Sequence, residues 1–373
     1  MHWSSHRSAV DHFPGDPGSI YLLSTAGIPN FGDELIAARW VSYLASVAPE
    51  TDVWLDVREP GTVAALLKDI RHPRLHLTNT AIRLADDALR GSMRSAADLV
   101  HNLGSPRYDL GLLQMREASV LHLLGGGFVN SMWPENHVMV QAMRAAAEIS
   151  GARLVATGQG LMPSGPEDLT GFDHVSVRDR ASAEHLGIDV GYDDAFLVPD
   201  VPPWETDGPT EVVLCIQSDL VGPEDFESFV RYARNQVRAW GIPRERVTYV
   251  EAIPGGDHPA YSALHDVVGE GRFVPFTAFW REEFPFRGNQ VWITTRFHHH
   301  LMGALAGARG IVMLGQTGYY DVKHRSLGDL GTGWAIHEGE PDDLIDLDAL
   351  QRAGDLGGPV AAKNAEADAL YKA

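Results

Sequence analysis

The sequence predicts an α/β protein with two Rossmann-like domains that face each other across a cleft. Three observations support this fold class. Short apolar runs alternate with helical patterns along most of the 373 residues, a proline-rich stretch interrupts the alternation once, and glycines follow several of the apolar runs. Such alternation is typical of parallel strands joined by crossover helices. The length is sufficient for two domains.

The first domain is predicted at residues 17–200. Short apolar runs bounded by turn residues indicate its buried strands, and the segments between them have helical periodicity. The strands are predicted in SIYLLS, TDVWLDV, RLHLTN, SVLHLLGGG and RLVATGQG, and the helices in residues 33–48, TVAALLKDI, residues 81–99 and MVQAMRAAAEIS.

The second domain is predicted at residues 211–340. It follows the stretch PDVPPWETDGPT, which has four prolines in twelve residues and cannot continue a helix or a central strand. We therefore place a linker at residues 201–210 and leave residues 341–373 as a C-terminal tail. The second domain's strands are predicted in EVVLCIQ, RVTYVEAI, QVWITT and GIVML, and its helices in EDFESFVRYARNQVRAW and HHLMGALAGA.

Composition excludes several classes of protein. The formal charge of -20 argues against a general nucleic-acid binder, although a few arginines can still bind an anionic substrate locally. The lone Cys215 excludes an intrachain disulfide and a cysteine zinc site. The amino end lacks the apolar core of a signal peptide, and the longest apolar stretch, residues 301–315, is too short to span a membrane. We expect a cytoplasmic protein.

Glycine-containing segments follow three predicted strands. They are Gly27-Ile28-Pro29-Asn30-Phe31-Gly32-Asp33-Glu34, Gly125-Gly126-Gly127 and Gly158-Gln159-Gly160. Glycine lets the backbone approach a ligand closely, and in open α/β sheets ligands bind at the carboxyl ends of the strands. Two simpler interpretations stay open: Asp33 is also a suitable helix cap, and Trp133, after the second segment, is also a common packing residue.

Basic side chains follow other predicted strands. Arg178 ends one strand in the first domain, while Arg296 and three consecutive histidines open a helix in the second. An arginine suits bidentate binding of a carboxylate or phosphate, and a histidine suits proton transfer near neutral pH. Lys323 follows the strand GIVML. An ordinary surface ion pair is the alternative for Arg178. A metal site is not expected, because adjacent helical histidines point in different directions.

Taken in this order, these segments resemble the polysaccharide pyruvyl transferase family over roughly residues 20–330. The matching pieces are Asn30-Phe31-Gly32-Asp33-Glu34, Gly125–Gly127, Gly158-Gln159-Gly160, Val177-Arg178-Asp179…Ser182, Asp194-Ala195-Phe196, Arg296-Phe297-His298 and Tyr320…Lys323. The resemblance implies a glycosyltransferase-B-like fold. It also implies transfer of a pyruvyl group from phosphoenolpyruvate onto two hydroxyls of one sugar, which forms a cyclic ketal. Phosphoenolpyruvate is then a co-substrate, and no cofactor or metal is expected.

The resemblance and the residue types together suggest roles. His298 is the predicted acid/base, with His299 as the alternative because a shift of one residue would exchange them. Donor binding is predicted for Arg178, Arg296, Lys323, Gly126, Gly127 and Gln159. Acceptor binding is predicted for Asn30, Asp33, Glu34 and Trp133.

Two other functions stay open at this stage. One is a glycosyltransferase of the same fold with a nucleotide-sugar donor, for which Glu251 and Trp292 could bind the nucleotide. The other is a non-catalytic carbohydrate-binding relative. The expected partners are phosphoenolpyruvate and a sugar or glycan, with no nucleic acid and no membrane span. Whether the acceptor is a small metabolite, a polymer or lipid-linked stays open, as does the oligomeric state.

Overall fold

Two parallel sheets of six strands each form the framework of the protein. The computed structural model describes residues 18–90, 94–166, 169–314 and 320–372. Helices cover both faces of each sheet, and apolar side chains fill the layers between them. The predicted fold class, two Rossmann-like domains facing across a cleft, is therefore confirmed.

The first sheet has the order β3-β2-β1-β4-β5-β6. Its strands are β1 (Ile20–Leu23), β2 (Val53–Asp56), β3 (Leu75–Thr78), β4 (Val120–Leu123), β5 (Arg153–Gln159) and β6 (His174–Val177). The helices of this domain are α1 (Phe31–Val47), α2 (Pro60–Leu66), α3 (Thr80–Arg90), α4 (Ala96–His101), α5 (Asp109–Met115), α6 (Pro134–Ser150) and α7 (Arg180–Leu186). The single helix predicted at residues 81–99 is two helices, because Ser95 makes a capping box with Asp98 that starts α4 anew.

The second sheet has the order β12-β11-β10-β7-β8-β9. Its strands are β7 (Glu211–Cys215), β8 (Val247–Val250), β9 (Phe273–Val274), β10 (Gln290–Thr294), β11 (Arg309–Met313) and β12 (Ala335–His337). The helices are α8 (Pro223–Trp240), α9 (His258–Ala263), α10 (Phe276–Trp280), α11 (Phe297–Leu305), α12 (Tyr320–Asp329) and α13 (Gly357–Tyr371). In each sheet the direction in which successive strands are added therefore reverses once. This switch point lies between β1 and β4 in the first domain and between β7 and β10 in the second.

Helix α1 begins at the edge of the first sheet that faces the second domain. Asn30 is its cap: the backbone of Asn30 is extended, and its Oδ1 accepts a hydrogen bond from Gly32 N at 3.3 Å. Asp33, the cap considered from the sequence, lies in the first helical turn instead. Phe31 inserts into the second domain, where its ring packs on Phe279 and its N–H donates to Ala252 O. The helix start is thus part of the domain interface.

The segment left as a C-terminal tail includes α13, which packs back on the first domain. Lys363 Nζ donates to Asp194 Oδ1 at 2.9 Å, and neither side chain is exposed. Tyr43 Oη donates to Asp368 Oδ1, and Tyr371 Oη lies 2.7 Å from His122 Nδ1. Among the described residues, no helix is long and apolar enough to cross a membrane.

Candidate active site

A cleft of about 450 Å³ lies where the carboxyl ends of the two sheets face each other. Its walls are formed at the two switch points, one in each sheet, where the strand order reverses. The segments after β1 and β4 line one side, and those after β7 and β10 line the other. Such switch points leave a crevice at the strand ends, which is where ligands bind in open α/β sheets.

Nine of the predicted site residues line this cleft. From the first domain they are Asn30, Asp33, Gly127, Trp133 and Arg178, and from the second domain Arg296, His298, His299 and Lys323. Because the two groups face each other, one ligand in the cleft can contact both domains.

Asp193 connects two of these residues across the domain boundary. Arg178 Nη1 donates to Asp193 Oδ2 at 2.5 Å, and His298 Nε2 lies 3.3 Å from Asp193 Oδ1. Burial alone would raise the pKa of Asp193, but His298 and Arg178 hold it below its usual value. An ionised carboxylate only accepts hydrogen bonds, so His298 Nε2 must carry the proton. In neutral His298, Nδ1 is then the basic nitrogen.

Gly32 makes room for the His298 ring. A Cβ at this position would lie 1.9 Å from His298 Nδ1, which no real contact allows. Nδ1 therefore lies against the first turn of α1, where backbone N–H groups and the helix dipole favour negative charge. Any residue larger than glycine would displace the imidazole.

Gly127 makes room for two cationic side chains. A Cβ there would lie 2.7 Å from Arg178 Nη2 and 2.9 Å from Lys323 Nζ. The Arg178 guanidinium also lies over the Phe297 ring, 4.5 Å from its centroid, which favours a fixed orientation. The loop after β4, the end of β6 and α12 thus bring two basic groups to one point in the cleft.

Burial changes the protonation of groups around these cations. Burial and the neighbouring Arg178 lower the pKa of Lys323 well below its usual value. Burial raises the pKa of Asp33, while His298 and Lys323 act in the opposite direction. Strongly perturbed titratable groups in a cleft are typical of functional sites.

Arg296 is held by two carboxylates of its own domain. Its Nη2 donates to Asp219 Oδ1 at 2.6 Å, and its Nε donates to the fully buried Asp257 at 3.1 Å. Asp219 is about one-third exposed and lines the cleft. A ligand can therefore reach Arg296 only beside or in place of Asp219.

His299 reaches the cleft lining, but its ring is almost fully buried in an aromatic cluster. Its ring stacks on Phe279 with centroids 5.1 Å apart and also contacts Phe31 and Trp292. Burial, followed by the charge of Arg296, lowers its pKa well below the usual value. A histidine that stays neutral among aromatic rings is a poor proton donor, so the geometry favours His298 as the acid/base.

Three predicted contact residues lie outside the cleft lining. Glu34 is fully buried, and its Oε1 accepts a hydrogen bond from Gly27 N at 2.7 Å. Gln159 is also fully buried, and its Nε2 donates to the carbonyls of Leu123, Leu124 and Thr157. Gly126 has φ +154 and pairs with Gln159 in an isolated bridge. Their hydrogen bonds hold the loops that carry Asn30 and Gly127, so direct contact with a ligand is not supported.

The two residues considered for a nucleotide donor have other contacts. Trp292 is fully buried in the second sheet, so neither face can stack on a base. Glu251 accepts hydrogen bonds from the backbone N–H groups of Gly255 and Phe276. Neither residue lines the cleft.

Comparison with known families identifies the chain. The family model described as polysaccharide pyruvyl transferase matches residues 30–247, more than half of its length. The chain belongs to the polysaccharide pyruvyl transferase family. The match includes the first-domain wall of the cleft and Asp193, and it ends before Arg296, His298 and Lys323. Among curated proteins, none matches the sequence.

Solved structures share the fold of this pyruvyl transferase family member. The UDP-GlcNAc 2-epimerase from Methanocaldococcus jannaschii is 12% identical, with a TM-score of 0.53 over 94% of this chain and 98% of that chain. The S. aureus MnaA structure with UDP is 10% identical, with a TM-score of 0.50 over 95% of this chain and 88% of that chain. At such low identity the similarity concerns the fold alone, which is glycosyltransferase-B-like.

Several residues of this family member that line the cleft or contact its lining were not found from the sequence. No strand or helix pattern in the sequence marks Asp193, although it directly precedes the segment Asp194-Ala195-Phe196 that contributes to the family resemblance. Arg58 and Asn136 line the cleft, as does Asp219. Asp194 itself has a structural role: its carboxylate accepts hydrogen bonds from Trp40, Thr157, Gly125 N and Lys363. The motif GYDD thus supplies one buried carboxylate that contacts the cleft residues Arg178 and His298, and one that belongs to the core.

Proposed function

We propose that the protein transfers the pyruvyl group of phosphoenolpyruvate to two hydroxyls of one sugar and releases inorganic phosphate. The observation that carries this proposal is the convergence of Arg178 and Lys323 on Gly127, beside the Asp193–His298 pair. Phosphoenolpyruvate has a carboxylate and a phosphate on one small carbon skeleton. Two cations beside a proton-transferring histidine match that distribution of charge.

Arg178 and Lys323 bind the two anionic groups of the donor. Arg178 offers a planar guanidinium for bidentate binding, while Lys323 acts as a point charge. A donor anion beside Lys323 favours the ammonium form, because an opposite charge raises the pKa of an amine. Binding of the donor anion therefore offsets the cost that burial imposes on the charged form of Lys323.

His298 begins the reaction as an imidazolium. Its Nδ1 gives a proton to the methylene carbon of the donor, and the adjacent carbon becomes cation-like. The Asp193 carboxylate stabilises the imidazolium and orients the ring through Nε2. A sugar hydroxyl oxygen then bonds to the cation-like carbon, and its proton returns to His298.

The second half of the reaction closes the ketal. The bond between that carbon and the phosphate oxygen breaks, and phosphate leaves with the electron pair. The second hydroxyl of the same sugar attacks the carbon and gives its proton to the departing phosphate. In sum, phosphoenolpyruvate and a diol give a cyclic ketal and inorganic phosphate. This reaction sequence is written without a metal or cofactor, and the expectation that none is needed stays a prediction.

Calorimetric titration tests the donor. We expect phosphoenolpyruvate to bind the protein and nucleotide sugars not to bind. Binding should also raise the melting temperature, because a ligand at a hundredfold excess over its Kd adds about 2.7 kcal/mol to the free energy of unfolding. Binding of a nucleotide sugar in the absence of phosphoenolpyruvate binding would favour a glycosyltransferase instead.

A further inference from the structure

A second polar cluster lies in the same cleft, on other elements of the first domain. It consists of Arg58, which follows β2, and Trp133, Glu135 and Asn136 at the start of α6. Arg178 follows β6, which is four strand positions from β2 in the sheet. Neighbouring strands are about 4.8 Å apart, so the two arginines come from strand ends roughly 19 Å apart. The two arginines thus enter the cleft from opposite sides of the switch point between β1 and β4, and the part that holds Arg178 and Lys323 is called the donor end.

The geometry of this cluster is fixed by hydrogen bonds. Asn136 Nδ2 donates to Phe128 O at 2.7 Å, so Asn136 Oδ1 accepts from Arg58 Nη2 at 3.1 Å. The same Nη2 lies 3.3 Å from Glu135 Oε1. Asn136 is almost fully buried, while the side chains of Arg58 and Glu135 are 21% and 25% exposed. The buried amide positions a pair whose remaining polar atoms are accessible from the cleft.

The charge of this cluster differs from that of the donor end. Arg58 and Glu135 neutralise each other, whereas Arg178 and Lys323 are two basic groups that converge on one point. A paired guanidinium and carboxylate presents N–H donors and oxygen acceptors side by side without net charge. Adjacent hydroxyls of a sugar each donate and accept a hydrogen bond, so they match such a pair. Trp133 lines the same part of the cleft, and an indole suits contact with the ring carbons of a sugar.

We infer that Arg58, Glu135 and Trp133 form a subsite for an uncharged pyranose, in which Asn136 acts as a positioning residue. The subsite rests on the proposed function, in which this sugar is the acceptor or its neighbour in a glycan. Asp33 lies in the first turn of α1, where its Oδ2 accepts a hydrogen bond from Asn30 Nδ2 at 3.2 Å, and its role in acceptor binding stays a prediction.

Saturation-transfer NMR without phosphoenolpyruvate tests the subsite directly. The probes are methyl pyranosides of gluco, galacto and manno configuration and the corresponding methyl glycosides of their uronic acids. The variants are Glu135→Gln and Trp133→Leu, with Arg234→Lys as the control. Arg234 forms an ion pair of similar exposure with Asp266 away from the cleft. Melting curves confirm that each variant folds.

We expect at least one neutral pyranoside to bind more tightly than its uronate. Glu135→Gln and Trp133→Leu should each weaken that binding by roughly tenfold or more, which is the loss of one charge-assisted bond or of one aromatic contact. Arg234→Lys should leave it unchanged. Any of three results would overturn the subsite. The uronates could bind more tightly than the neutral pyranosides, no neutral pyranoside could bind, or binding could be unchanged in both variants. These outcomes are independent of phosphoenolpyruvate binding, whose absence would overturn the proposed function alone.

Discussion

The Asp193 carboxylate and the His298 imidazole lie 3.3 Å apart, Oδ1 to Nε2, across the boundary between the two domains. Asp193 lies in the loop after α7 of the first domain, and His298 lies in the first turn of α11 in the second. The acid/base geometry therefore depends on how the domains meet, and it forms only when both are in place. Because Nε2 contacts Asp193, we assign the proposed proton transfer to Nδ1, which lies beside Gly32.

Asp193→Asn should lower turnover by ~10²–10⁴-fold, which is the usual contribution of a general acid or base. The amide no longer requires a proton on Nε2 and no longer stabilises the imidazolium. Initial rates of phosphate release measure the effect. Asp189→Asn, on the exposed surface, is the control. A rate close to that of the unmodified protein would contradict the role of Asp193.

His298→Gln should also lower turnover by ~10²–10⁴-fold while leaving donor affinity nearly unchanged, because the amide cannot transfer a proton near neutral pH. His299→Phe should retain turnover, since His299 already packs among aromatic rings. Comparing kcat and KM for the two variants distinguishes the histidines. Normal turnover in His298→Gln together with loss in His299→Phe would transfer the acid/base role to His299.

Arg178→Lys should weaken phosphoenolpyruvate binding by roughly ten- to a hundredfold. The substitution keeps the charge but removes the planar fork, and one charge-assisted hydrogen bond is worth roughly 1.5–3 kcal/mol. A donor titration measures the change, and Arg180→Lys is the control because Arg180 is exposed and 3.8 Å from Asp329. Equal donor affinity in both variants would remove Arg178 from the donor site.

Phosphoenolpyruvate affinity should decrease as pH rises through the lowered pKa of Lys323. The ammonium form binds the donor anion, and this form is lost at a lower pH than in an ordinary lysine. Titrations across a pH series measure the decline. Lys323→Arg, which stays protonated, should remove it, and persistence of the same decline in that variant would assign it to another group.

Glu34 should make the protein less stable as pH rises from about 4.5 to 7. Burial raises its pKa from the unfolded value of 4.5 to about 7. Between these two pH values the folded state binds more protons than the unfolded state, so the free energy of unfolding falls as pH rises. The free energy of unfolding should therefore fall by about 2–3 kcal/mol between pH 5 and pH 8 relative to Glu34→Gln. Urea denaturation of both proteins checks this. Parallel pH dependences would contradict it.

Much of the fold was predictable because parallel strands buried on both faces leave short apolar runs in the sequence. The same regularity placed Asn30, Gly127, Arg178 and Arg296 at strand ends, and strand ends of parallel sheets share one edge. The split of residues 81–99 into two helices depends on the Ser95–Asp98 capping box. The packing of α13 on the first domain depends on the buried ion pair between Lys363 and Asp194. These two residues are far apart in the sequence, so no local pattern marks the contact.

The site was less predictable, because its chemistry depends on contacts between distant segments. Glu34 and Gln159 belong to the right segments, yet their side chains bond to the backbone of neighbouring loops. Asp193 lies in an irregular loop, so no periodic pattern marks it. The sequence predicts that Arg296 binds the donor. It could not show that Arg296 also forms ion pairs with Asp219 and Asp257, because these come from two separate loops of the second domain.

Mass spectrometry of a glycan acceptor pool incubated with the protein and phosphoenolpyruvate tests the central claim most directly. The account predicts an acceptor whose mass increases by one pyruvic acid minus one water, with one inorganic phosphate released per product. Asp193→Asn should reduce both yields in parallel. Phosphate release without an acceptor product, or transfer of a sugar from a nucleotide sugar with no pyruvylated product, would contradict it.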